Sequence, residues 1–152
     1  MATHAFASTV FDRVAYRRIV VPIAGDDDSE AGVALAAQLA PEHGAAITAV
    51  FVIEVRAELP LDAHMLAEEA AARGALEKAH AIAASRGVRL TERIVRARSR
   101  GEAIVAAAAE AHADLVVMRA VPHERKRLFG HTTDYVLRHA GCRVLVTAPP
   151  KP

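Results

Sequence analysis

The stretch RRIVVPIAGDDDSEAGVALAAQLA, Arg17 to Ala40, decides how the rest of the chain is read. Residues 17–25 form a charged start and then an apolar, β-branched run. A strand exposed on one side alternates apolar and polar residues, whereas a continuous apolar run marks one covered on both sides, as in a parallel sheet. DDDSE (26–30) follows. Asp and Ser side chains accept hydrogen bonds from the open amides of a first helical turn, and their charge suits the helix dipole. The alanine-rich run beyond is predicted helical to about Ala40, where Pro41 and Gly44 close it.

The same unit repeats outward. AAITAVFVI (45–53) is a second apolar strand, and EVRAELPLDA (54–63) connects it to a long helix over 64–87. Met65, Ala72, Leu76, Ala79 and Ala83 share one face of that helix, and Glu69 and Arg73 stand as an i,i+4 pair on the other. Gly87 is placed to cap it. VRLTERIVRA (88–97) alternates, as an edge strand would. Ser99 and Glu102 have capping-box spacing, and the helix after them carries Ile104, Val105, Ala108 and Ala111. DLVVM (114–118) is a fourth, buried strand, TTDYVLRHAG (132–141) a short helix with Thr132 or Thr133 as cap, and RVLVTA (143–148) a fifth strand. Strands alternating with helices imply a parallel, doubly wound α/β sheet with helices on both faces and right-handed crossovers.

The 152 residues suit one domain. Residues 1–15 read as a flexible leader, 16–149 as the domain and 150–152 as a tail. The formal charge of +1 draws the chain to neither nucleic acid nor a membrane surface. No apolar run reaches the roughly 18 residues of a membrane span. A single cysteine, Cys142, excludes an internal disulfide and fits the reducing cytoplasm, and its apolar setting marks a buried structural thiol.

Between the fourth strand and the last helix lies MRAVPHERKRLFGHTTDYV, Met118 to Val136, a basic loop poor in glycine. In open α/β sheets, ligands bind in this place, outside the carboxyl ends of the strands. The start of the helix behind Gly130 offers open amides to an anion. Arg119, His131, Thr132 and Thr133 can add charge and hydroxyls, with Arg98 and Arg100 at the next crossover. The plainer alternative is a solvated basic loop. DDDSE admits a Mg²⁺ reading, but a solvated helix cap explains it better, and it would repel a phosphate unless a cation intervened. His123 and His131 have no Cys or carboxylate at ligand spacing, so no metal site is expected. No Walker loop, GxSxG or HExxH occurs, which argues against catalysis.

In order, RRIVVPIAGDDDSEAGVALAAQLA, ADLVVM and GHTTDYVLRHAGCRVLVTA resemble the opening unit, fourth strand and closing unit of the universal stress protein family, over about residues 16 to 149. The resemblance implies the adenine nucleotide alpha-hydrolase-like fold with sheet order 3-2-1-4-5, and homodimers paired through the last strand, here Arg143 to Ala148. The family's ATP-binding branch carries a G-x2-G-x9-G-(S/T) pattern after the fourth strand and an aspartate ending the first. Here Ala24 replaces that aspartate, Arg119 and Pro122 replace the first two glycines, and His131 replaces the small hydroxyl residue. Residues 123–129 are seven where the pattern has nine. A glycine lets backbone amides approach a phosphate, whereas proline has no amide to offer.

The candidate ligand residues are therefore Ile23, Ala24, Val52, Met118, Arg119, Gly130, His131, Thr132 and Thr133. The resemblance implies a regulatory, stress-response domain of the cytoplasm without chemistry of its own, not binding ATP in the familiar way. The alternatives are a sensor of ATP, AMP, a cyclic nucleotide or another phosphate-bearing ligand, a regulatory domain associated with a membrane transporter, and, least favoured, an enzyme acting on a nucleotide.

Overall fold

A computed structural model describes residues 16–40, 44–120 and 129–148. The leader, Pro41, His43, Pro122, His123, the basic run Arg125–Arg127 and the tail lie outside the described residues. The chain runs β1 (Arg18–Ile23), α1 (Asp27–Leu39), β2 (Ala46–Glu54), α2 (Leu66–Ser85), β3 (Arg89–Ala97), α3 (Arg100–Glu110), β4 (Leu115–Arg119), α4 (His131–His139) and β5 (Arg143–Thr147). The five strands are all parallel, in the order β3-β2-β1-β4-β5.

The pleat sorts side chains by parity onto two faces. On one face Ile19, Val21 and Ile23 of β1, Ile47, Ala49, Phe51 and Ile53 of β2, and Leu115 and Val117 of β4 pack on α1 and α2. On the other, Val20, Val50, Val52, Val116 and Met118 pack on α3 and α4. This explains the continuous apolar runs of β1, β2 and β4: both faces of each central strand are covered. The helices meet the sheet through Ala36, Ala72, Ala79, Ala83 and Ala107, all at most 2 % exposed, so short side chains let helix and sheet approach closely. β3 is an edge strand, as expected, but its burial does not alternate: of its nine residues only Leu90 is buried, and Ile94 is exposed.

Local ends follow side-chain chemistry. Asp26 caps α1 by accepting from the Ser29 amide at 2.9 Å, and Ser99 caps α3 by accepting from Glu102 at 3.4 Å. The Asp114 carboxylate receives the amides of Arg17 and Arg18 at the start of β1. Gly25 and Gly87 hold φ of 83° and 68°, conformations in which a Cβ is strained. Three expectations are corrected. Glu69 does not pair with Arg73 but with Arg96, which reaches over from β3 and also bonds the Ala63 carbonyl at 2.8 Å. Neither Thr132 nor Thr133 caps α4: its N-cap is Gly130, without a side-chain bond. Cys142 is half-buried rather than buried.

Candidate functional site

Because β1 and β4 are neighbours in the sheet, their carboxyl ends open side by side, and α4 begins beside them. A cleft of about 120 Å³ lies there, lined by residues of β1 (Pro22, Ile23), Ala24, Ser29, Arg100 and Ile104 of α3, Met118 and Arg119 of β4, and Thr132 and Thr133. Six of the nine expected ligand residues therefore meet: Ile23, Ala24, Met118, Arg119, Thr132 and Thr133. Gly130 stands at the start of α4. His131 lines an adjoining, wider cleft with Glu54, Ser99, Gly101, Tyr135 and Arg138, and Arg100 and Thr132 border both. Val52 does not belong to the site. Because β2 continues to Glu54, Val52 lies two residues short of the strand end and is buried under α3 in the second core. Arg98 is not there either: it is spent on the carbonyls of Val55 and Arg56, at the start of the β2–α2 connection.

The polar groups of the cleft answer one another. Arg119 Nη2 lies 2.9 Å from Asp26 Oδ2, with the two side chains 28 % and 39 % exposed. Asp26 Oδ1 accepts from the Ser29 amide at 2.9 Å and from the Ser29 hydroxyl at 2.7 Å. That buried hydroxyl in turn accepts from the Ala24 amide at 2.9 Å. Partial burial opposes ionisation of Asp26, but the two Ser29 bonds and then the Arg119 charge outweigh it and hold the carboxyl below its ordinary range. The Thr133 hydroxyl, buried, points to the Arg119 carbonyl at 3.4 Å. Among the described residues no group of three or more His, Cys, Asp or Glu side chains converges as metal ligands would, and no helix is long and apolar enough to cross a membrane.

The sequence favours a solvated helix cap over a Mg²⁺ site for the turn that holds Asp26 and Ser29. Asp26 does cap α1, while Ser29, inside the first turn, donates to the Asp26 carboxylate and lines the cleft. The acidic turn was expected to repel a phosphate unless a cation intervened; the cation is Arg119, 93 positions away (119 − 26).

A doubly wound sheet with its cleft at the β1–β4 switch point defines a class of α/β ligand-binding folds. Within it, residues 15–148 match the model of the universal stress protein family, and the chain belongs to that family. It is 30 % identical over 146 residues to a universal stress protein of Methanocaldococcus jannaschii, covering 90 % of this chain and 84 % of the relative. Its fold superposes with a TM-score of 0.71 on a universal stress protein crystallised in complex with cAMP, 26 % identical, over 88 % of this chain and 98 % of that one. A universal stress protein of Archaeoglobus fulgidus superposes with a TM-score of 0.73 at 21 % identity, over 86 % and 98 % of the two chains.

Proposed function

We propose that the protein is a non-catalytic regulatory domain of its family that does not hold ATP on a glycine loop. The observation that carries this reading is the Arg119–Asp26 ion pair at 2.9 Å. Where the family's binding branch has a glycine, this chain has a guanidinium facing its own carboxylate. The Ala24 amide, at the position of the branch's aspartate, is engaged by Ser29. Calorimetric titration with ATP, with and without Mg²⁺, tests it. Affinity weaker than about 1 mM is expected, corresponding to a binding free energy smaller than about 4 kcal/mol. One-to-one binding at micromolar level, or phosphate release above background, refutes it.

A second reading makes the same cleft a sensor of a small phosphate ligand. It is supported by the complex of the 26 % identical relative with cAMP and by the start of α4 beside the cleft, where Thr132 and Thr133 line it. Thermal shifts with cAMP, AMP and inorganic phosphate test it, since a ligand that binds only the native state raises the melting point.

We further propose a homodimer in the cytoplasm. β5 ends the sheet order, pairs with β4 alone among the described strands and exposes Leu145 by 37 %. Such an edge is a template for a second strand. Light scattering that gives a monomer at all concentrations removes the dimer. Cytoplasmic placement is supported by the single cysteine.

A further inference from the structure

We infer that the outer edge of β3 docks a second copy of this chain, paired antiparallel about a two-fold axis at Ile94. β3 closes the sheet at the end opposite β5 and pairs with β2 alone among the described strands. It runs nine residues without glycine or proline, and a long regular edge is a template for a further strand. Beside it a groove of about 340 Å³ opens towards α2, lined by Leu76, His80, Ala81 and Ala84 and by Glu92 and Ile94. Ile94 is 46 % exposed there.

The charges of β3 select both the occupant and its register. An axis normal to the sheet keeps every residue on its own face, so the pairing must centre on a residue. Like charges directly opposite destabilise an antiparallel pair, whereas apolar and opposite-charge pairs stabilise it. Centred on Glu92 or Arg93, the pairing sets that charge against its own copy; centred on Thr91, it sets Arg89 against Arg93. Centred on Val95, it sets Ile94 against Arg96. Centred on Ile94, it sets isoleucine against isoleucine and Glu92 against Arg96, twice over. Glu92, Ile94 and Arg96 all stand on the α2 side of the sheet, while Arg93 turns to the other side and pairs with Glu110 of α3 at 2.6 Å. Glu92 is open to a new partner: its side chain is 48 % exposed and lies 3.9 Å from the His80 ring, beyond hydrogen-bond reach. Arg96 bonds Glu69 and the Ala63 carbonyl of its own chain, and a guanidinium has further N–H groups to offer a second carboxylate. This edge is distinct from β5; where both pair, dimers join edge to edge into larger assemblies.

The register gives the test. Directly opposed residues of an antiparallel pair have Cα atoms about 4.5–5.5 Å apart, within the span of a disulfide. Cys142→Ser removes the chain's one thiol, and single cysteines are then placed on β3. In a glutathione redox buffer, Ile94→Cys is expected to form covalent dimers at least about tenfold faster than Glu92→Cys or Arg96→Cys alone. An equimolar mixture of Glu92→Cys and Arg96→Cys is expected to cross-link within about threefold of the Ile94→Cys rate. Without cross-linking, Glu92→Arg and Arg96→Glu each set like charges opposite, and each is expected to weaken association at least about tenfold in sedimentation, while mixing the two restores it. Circular dichroism confirms folding. Equal cross-linking at the three positions, or a mixture of charge-reversed chains that associates no better than either alone, overturns the inference. A dimer lost with Leu145→Lys and indifferent to Ile94→Lys overturns it while sparing the β5 pairing. A parent that stays monomeric at all concentrations overturns both.

Discussion

Replacing Gly101 with alanine drives a methyl group into the base of Tyr135. A Cβ built on Gly101 lies 2.9 Å from Cβ, Cγ and Cδ1 of Tyr135, against the 3.4–4 Å of ordinary contact. The overlap is with the root of the side chain, so turning the ring relieves little. The ring is held besides by its stack on His139, with centroids 4.0 Å apart. Relief therefore requires α4 to move away from α3, and α4 carries Val136, fully buried, into the second core. Overpacking of this kind costs about 1–3 kcal/mol. Exchanging glycine for alanine in a helix returns about 0.5–1 kcal/mol. From the middle of both ranges the net loss is about 1 kcal/mol, or a melting point roughly 2–4 °C lower at this chain length. Urea denaturation followed by circular dichroism, with an unchanged slope, measures it. A double-mutant cycle locates the cause. Tyr135→Phe leaves the cost of Gly101→Ala unaltered, because the hydroxyl is far from the overlap, whereas Tyr135→Gly abolishes it. A Gly101→Ala protein as stable as its parent refutes the close-packing argument.

Other outcomes follow from single residues. His112 sits just past the α3 C-cap at φ 51°, a conformation that costs a side chain about 1 kcal/mol or more; His112→Gly is expected to raise stability by about 0.5 kcal/mol in urea titration. Burial pushes the Cys142 thiol up, and Asp114 adds to it, so native Cys142 should react with a disulfide reagent at pH 8 more slowly than the urea-unfolded chain. Asp26 titrates below its ordinary 3.8, so the native state binds fewer protons than the unfolded chain in that window. Its stabilisation is present above the unfolded value and lost as pH falls through the native one; Asp26→Asn should flatten the acid limb of stability against pH, and an unchanged limb contradicts the assignment. Arg96→Met removes the bonds to Ala63 and Glu69 and should speed amide exchange across 55–65 without touching β5.

The strand positions were legible because burial writes itself into composition. Val20 and Val21 are both apolar because each faces a different helical layer. β3 carries more charge than the other strands because it is an edge strand with only Leu90 buried. Helix ends were legible where one side chain suffices, as at Asp26 and Ser99. What stayed hidden depends on two distant segments. Glu69 has Arg73 one turn away, yet Arg96 reaches it, because β3 runs beside the start of α2 and carries a long chain to it. Thr133 looks like a cap in sequence, but its hydroxyl turns inward to the end of β4. Val52 is two residues from the ligand end of β2, and in a strand two residues are nearly 7 Å.

The most consequential hidden pair is Arg119 with Asp26, since it changes what the eroded loop means. Arginine at a glycine position, taken alone, predicts a stronger anion site through added charge and a poorer one through lost backbone access. Asp26 bears on both, because it already gives Arg119 a carboxylate partner. The same carboxylate caps α1, so the helix start and the end of β4 are tied through one side chain. A ligand that claims Arg119 must replace an ion pair whose carboxylate cannot leave without loosening the cap.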